Sequence, residues 1–251
     1  MRVVLITQAR LGSSRLPNKV LKKINNKTLL QIHIERIKKC KNINDICIAT
    51  TINKEDLEIC KIAKKLKVNY YKGSEKDVLD RYYKAAKKMD ADLIVRVTSD
   101  CPLIDSKLID EIIQKAIKKQ LDYYSNVLVE SFPDGQDVEV FKFDTLKRAW
   151  ENAILLSDRE HVTPFIKNNS TFKRGSLFTS DNYFSDINYN LVRLTVDEKC
   201  DYDVIKKIID NLGDSLDWKS YADYYVNNKE INIINGKIKR NEGYKKSMKE
   251  I

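Results

Sequence analysis

The chain has 251 residues, 42% of them hydrophobic, with 46 Lys and Arg against 36 Asp and Glu for a formal charge of +10, which fits one large globular α/β domain rather than a fibrous or disordered chain. No apolar run reaches the roughly 18 residues that a membrane helix needs, and the N-terminus enters an apolar strand without the regions of a signal peptide, so the sequence predicts a cytoplasmic protein with no membrane partner. Five cysteines without a CxxC pair, and only two histidines, argue against a disulfide framework and a zinc site; the positive excess lies largely in lysines at helical spacing (61–67, 84–88), a solvated helix face rather than a nucleic-acid-binding stripe.

The first predicted strand, Val3 to Thr7, runs into Gln8-Ala9-Arg10-Leu11-Gly12-Ser13-Ser14-Arg15-Leu16-Pro17-Asn18-Lys19. Gly12 admits close backbone approach and Arg10, Arg15 and Lys19 bring positive charge, which suits a triphosphate. The spacing is neither that of the ATPase phosphate loop nor that of the three-glycine dinucleotide fingerprint. Helical patterns at Leu29 to Lys39, Asp56 to Leu66, Val78 to Met89 and Lys107 to Lys118 alternate with strands at Asp45 to Thr50, Val68 to Tyr71 and Leu93 to Val97. This alternation predicts a mostly parallel, twisted sheet flanked by helices, with ligands at the carboxyl ends of its strands.

Beyond residue 120 the pattern changes to a strand at Val138 to Phe141, a helix at Thr145 to Leu155, strands and loops over 168–190, a strand at Val192 to Val196 and a helix at Asp201 to Leu212. Ile231 to Arg240 reads as a β-hairpin turning at Asn235-Gly236. The expected organisation is a single domain over 1–251, with a nucleotide-binding half (1–120), an acceptor-binding half (121–225) and a C-terminal hairpin and tail (226–251).

Two strands end in acids. Ile94-Val95-Arg96-Val97-Thr98-Ser99-Asp100-Cys101-Pro102 places Asp100 where a carboxylate can hold magnesium against substrate phosphates, although it can also cap the turn that Pro102 enforces. Arg193-Leu194-Thr195-Val196-Asp197-Glu198 offers Asp197 as its partner, with Asp201 competing for that role and a helix N-cap as the alternative for Asp197.

Taken in order, the segments 7–19, 96–105 and 193–198, with Leu79-Asp80-Arg81-Tyr82, Asp134-Gly135-Gln136-Asp137-Val138-Glu139 and Arg159-Glu160-His161-Val162-Thr163, resemble the cytidylyltransferases that activate acidic sugars, most closely the SpsF-type branch related to the acylneuraminate and Kdo enzymes. The resemblance spans nearly the whole chain. It implies a nucleotide-diphospho-sugar transferase fold (GT-A-like, Rossmann-like), CTP as cosubstrate, Mg2+ as cofactor, and a homodimer. It implies Arg10, Ser13, Arg15 and Lys19 at the triphosphate, Ala9 near the base, Arg81 and Ser99 near the nucleotide, and Asp100 and Asp197 at the metal, with Lys19, Arg15 and Asp100 as the catalytic set.

The reaction so implied is in-line attack of an acceptor oxygen on the α-phosphorus of CTP, which rests on positioning and charge rather than on a nucleophilic side chain. Candidate acceptor contacts are Asp134, Gln136, Asp137 and Glu139, although Pro133-Asp134-Gly135 is also an ordinary turn. Arg159 can bind a carboxylate or phosphate, and His161 beside Glu160 can act as a base, although Ser157 to Glu160 also reads as a capping box. His33 and Cys101 read as packing residues. A nucleotidyltransferase using GTP or UTP, and a non-catalytic nucleotide-binding module, are the alternatives.

Overall fold

Five of the six residues of β1 (Val3–Gln8) are buried, and in the computed structural model, which describes residues 1–13 and 15–240, this strand lies inside a seven-stranded sheet. A short ribbon, β2 (Lys23–Ile24) and β3 (Lys27–Thr28), turns through Asn25 and Asn26, both at positive φ. It delivers α1 (Leu29–Ile37), whose start is fixed by a capping box between Thr28 and Gln31. Then come β4 (Asp45–Thr51), α2 (Leu57–Lys65), β5 (Asn69–Gly73), α3 (Val78–Lys88), β6 (Leu93–Thr98) and α4 (Ser106–Lys119). The second half contributes β7 (Tyr123–Ser125), β8 (Glu139–Lys142), α5 (Phe143–Asn152), α6 (Leu156–His161), α7 (Pro164–Asn168), β9 (Ser180–Asn182), α8 (Lys199–Leu212), α9 (Trp218–Asn227) and α10 (Lys229–Asn235).

The strand order is β5-β4-β1-β6-β8-β7-β9, and β8 alone runs against the others. Period-two alternation splits β1 between two cores. Val3 and Leu5 pack with Leu30 and Ile34 of α1, Ile59 of α2 and Ile109 and Ile112 of α4. Val4 and Ile6 pack with Leu79 and Tyr82 of α3 and Leu146 of α5 on the other face. A third cluster seats α8, α9 and α10 against Leu103, Leu194 and Val196. No helix among the described residues is long and apolar enough to cross a membrane.

The mostly parallel sheet and the first four helices fall where the alternation predicts. Three later segments differ. Val192 to Val196 joins no sheet: it bridges Asp134 through Arg193 and its Val196 N–H goes to Asp100 O at 2.8 Å, so its main-chain bonds run to loops rather than to a neighbouring strand. The predicted hairpin is instead α10: Ile231 and Ile234, three apart, pack into the third core, and Gly236 caps the helix with its N–H on Asn232 O at 2.9 Å. Residues 241–251 of the predicted tail lie outside the described residues. Ser157 stands inside α6, whose N-cap is Leu155, so the Ser157–Glu160 capping box does not form.

Candidate active site

Parallel strands β5, β4, β1 and β6 aim their carboxyl ends at one edge, and the loop after β1 crosses that edge. Its path is set by main-chain bonds: Ala9 N–H donates to Ala49 O at 3.1 Å, Leu11 N–H to Asp56 Oδ1 at 2.8 Å, and Ser13 and Asn18 both donate to Leu11 O. Asn18 takes the left-handed conformation that brings Lys19 back toward the sheet. Arg10 pairs with Glu75 at 2.8 Å, and Glu75 also accepts from Asn53. At Gly12 a Cβ would meet no protein atom closer than Glu75 Oε1 at 3.5 Å, so the protein's own packing leaves room there for a side chain.

Beneath the loop lies a buried chain of three side chains. His33 Nδ1 donates to Cys101 O at 2.9 Å, which leaves Nε2 to accept from the Thr7 hydroxyl at 3.0 Å, and Ser99 Oγ is 2.8 Å from Thr7 Oγ1. Burial pushes the His33 imidazole down to about 4. Ser99 is therefore a support under the loop, and Arg81, 2% exposed, donates to Ser74 O at 2.6 Å beneath Gly73.

Lys19 Nζ lies 2.7 Å from Asp100 Oδ2 and 2.9 Å from Asp197 Oδ1. Burial would lower the lysine's pKa, but the two carboxylates raise it well above its usual value; burial would likewise raise Asp100, and Lys19 holds it far below. Arg15 reaches the same Asp197 oxygen at 3.1 Å. Asp201 does not join them: fully buried, it takes Arg193 side-on and accepts the N–H groups of Asp197 and Glu198, both at 3.0 Å. Arg193 also reaches Asp134 at 2.7 Å. Asp197 thus faces the site while Asp201 shapes the loop that presents it.

A cavity of about 450 Å³ opens beside this acid pair. Of the predicted residues, Arg15, Asp100, Asp137, Glu139, His161 and Asp197 line it. Gln136, Arg159 and Glu160 do not: Gln136 is buried with its amide on Leu103 O and Asp105 N–H, Arg159 ties α6 to Asp77 at 2.5 Å, and Glu160 is exposed. Asp134, also among the candidate acceptor contacts, lines the cavity too; sequence reasoning missed Lys167, Lys173 and Arg193 as wall residues, and Arg96, a lone cation in the apolar run of β6, was the available signal. Arg96 pairs with Glu139, which also accepts from Tyr123 Oη at 2.6 Å and lies 3.7 Å from Lys167; against the cost of burial these cations hold Glu139 down to about 2. Burial and Asp137 push Asp134 up to about 7 despite Arg240 and Arg193, and burial lowers the His161 imidazole.

The cytidylyltransferase family profile matches residues 4–231. The chain belongs to the cytidylyltransferase family. It is thus a CTP-dependent nucleotidyltransferase, as the ordered motifs led one to expect. It is similar to an uncharacterized protein of Methanocaldococcus jannaschii, 39% identical over 96% of this chain and 97% of that one, and to the spore coat polysaccharide biosynthesis protein SpsF of Bacillus subtilis, 32% identical over 86% and 89%. A 3-deoxy-manno-octulosonate cytidylyltransferase of Geobacter metallireducens matches over 45% of this chain and 44% of its own length, at 31% identity. Among solved structures, a cytidylyltransferase of Leptospira borgpetersenii superposes with a TM-score of 0.88 at 32% identity, covering 96% of this chain and all of that one. This cytidylyltransferase therefore carries its family's nucleotide-diphospho-sugar transferase fold.

Proposed function

We propose that the protein transfers the CMP group of CTP to an anionic, sugar-like acceptor with release of pyrophosphate, in the making of a surface glycan. The observation that carries this is the meeting of Lys19 and Arg15, from the loop after β1, with Asp100 and Asp197 at the edge of a cavity large enough for a sugar. Both acids offer hard oxygen donors within hydrogen-bond reach of one ammonium, a spacing at which two carboxylates can share one divalent ion, so the residues fit magnesium. Asp100 and Asp197 would hold it, and it would neutralise phosphate oxygens of the bound nucleotide.

Lys19 and Arg15 then stabilise the charge that builds on the departing pyrophosphate, and the sheet edge holds the α-phosphorus in line with the acceptor oxygen. His161, kept neutral by burial in the cavity wall, takes the acceptor's proton. The far wall sets Arg96, Lys167 and Lys173 against Glu139 and Asp137, three cations to two carboxylates, a net positive surface that suits a carboxylate or phosphate on the acceptor. Likeness to SpsF, a spore coat polysaccharide biosynthesis protein, supports the glycan setting.

Thermal unfolding with CTP, UTP, GTP and ATP, each with and without magnesium, tests this without the acceptor in hand, because a ligand that binds the folded state raises its melting temperature. A shift specific to CTP and enlarged by magnesium is expected. A larger shift with another triphosphate, or none with CTP, overturns it.

A further inference from the structure

The cations placed to hold a triphosphate and the acids placed to hold a metal neutralise each other. Lys19 Nζ sits between Asp100 and Asp197 at 2.7 and 2.9 Å with its side chain only 14% exposed, and Arg15 shares Asp197 Oδ1 at 3.1 Å. Among the described residues, the side chains of these two cations reach only the acid loops: Arg15 to Asp197 and, at 3.8 Å, Glu198; Lys19 to Asp100 and Asp197. A divalent ion taking the two carboxylates would lie against the Lys19 ammonium, and like charges at such separation in a partly buried site repel strongly. A triphosphate taking Lys19 and Arg15 without a metal would leave Asp100 with no cation among the described residues and Asp197 with Arg193 alone, at 3.4 Å, beside the nucleotide's own charge.

We infer that Lys19 is a resident cation that masks the metal site, so that metal and triphosphate enter by an exchange of partners: the lysine and arginine pass to phosphate as the two aspartates pass to the metal. No bond is made or broken in this exchange, and each charged group is paired before and after it. The two ligands therefore bind with positive coupling, and the nucleotide-free protein holds a divalent cation weakly. The inference rests on the proposed metal-dependent chemistry but concerns the empty protein, so the two can fail separately.

The probe is Mn2+ alone, followed by electron paramagnetic resonance with no nucleotide present. Lys19→Met is expected to bind Mn2+ at least tenfold more tightly than the wild type. Lys19→Gln, whose amide can bridge the two acids without charge, should do the same if Lys19→Met fails to fold. Adding Asp100→Asn to either variant should abolish the gain. Folded Lys19 variants that bind Mn2+ no more tightly than the wild type, or a gain that survives Asp100→Asn, overturn the inference even where CTP stabilises the wild type. Absence of any CTP shift would instead overturn the proposed function and leave the Mn2+ comparison readable.

Discussion

Arg193 and Asp201 meet side-on, Nε to Oδ1 at 2.8 Å and Nη2 to Oδ2 at 2.9 Å, in an interior where Asp201 has no solvent exposure. Asn235 of α10 donates to the same Asp201 at 2.9 Å and Tyr225 of α9 donates to Asn235 at 2.8 Å, so three C-terminal helices converge on one ion pair. Asp201→Asn takes one carboxylate from Arg193, which keeps Asp134 at 2.7 Å and Asp197 at 3.4 Å, and should cost about 1–3 kcal/mol of stability. Urea denaturation is the measurement; an unchanged midpoint would mean that Asp134 and Asp197 hold the guanidinium as well without Asp201.

At Gly135 the backbone has φ +106, and a Cβ would stand 2.7 Å from Leu194 C and 2.8 Å from Thr195 N. An l-residue there is strained twice, by its own conformation and by main-chain contact. Gly135→Ala should cost about 1–3 kcal/mol and lower the melting temperature, whereas Gly213→Ala, at φ +76 but with nothing within 4 Å of its Cβ, carries the conformational cost alone and should fall less.

His33 makes stability depend on acid. Its folded-state pKa, about 4, lies below the ordinary 6.5, so its contribution is complete above pH 6.5 and is lost as the pH falls through about 4. The shift corresponds to roughly 3 kcal/mol. Asp134, raised to about 7, works the other way, its contribution being lost as the pH rises through 7, and Glu139, lowered from 4.5 to about 2, loses its contribution over a range that overlaps only the acid end of the histidine window. The difference between wild type and His33→Asn isolates the histidine: it should shrink steadily between pH 6.5 and 4 in paired thermal melts, and a constant difference would contradict it.

Lys167 stands on the far wall of the cavity, 3.7 Å from Glu139 and away from the acid pair. Lys167→Ala should raise the acceptor KM roughly tenfold, the scale of one charged hydrogen bond, and leave CTP binding as it was. Pyrophosphate release measured against acceptor concentration checks this, and a lost CTP shift with an unchanged acceptor KM would move Lys167 to the nucleotide side.

The first half of the chain was legible because its signals are local. Apolar runs such as Val3 to Thr7 bury on both faces and can be little else, and a loop with Arg15 and Lys19 beside a strand-end Asp100 needs only the parallel sheet to converge, whereas Arg10 turns to Glu75. The second half was less legible because its determinants are distant partners. Gln136 looked like a sugar contact until its amide met Leu103 and Asp105, more than thirty residues away, and Arg159 until Asp77 met it, 82 residues away. Asn235-Gly236 carried a hairpin signal that the third core overrode, since Ile231 and Ile234 bury together only on a helix. Lys167 gave no local sign, its role being fixed by which wall the chain happens to return to, and Arg193, though it heads the 193–198 motif, gave no sign of its partners Asp134 and Asp201.

Asp134 is laced to the neighbouring chain at two points, its N–H to Val192 O at 2.9 Å and its carbonyl to Leu194 N–H at 2.7 Å, three residues before Asp197. One wall of the cavity and the acid at its mouth are in effect a single casting. Evolution can therefore retune acceptor choice cheaply only on the opposite wall, where α6 and α7 carry His161 and Lys167, and relatives with different acceptors should diverge there while keeping the 134–194 lacing intact.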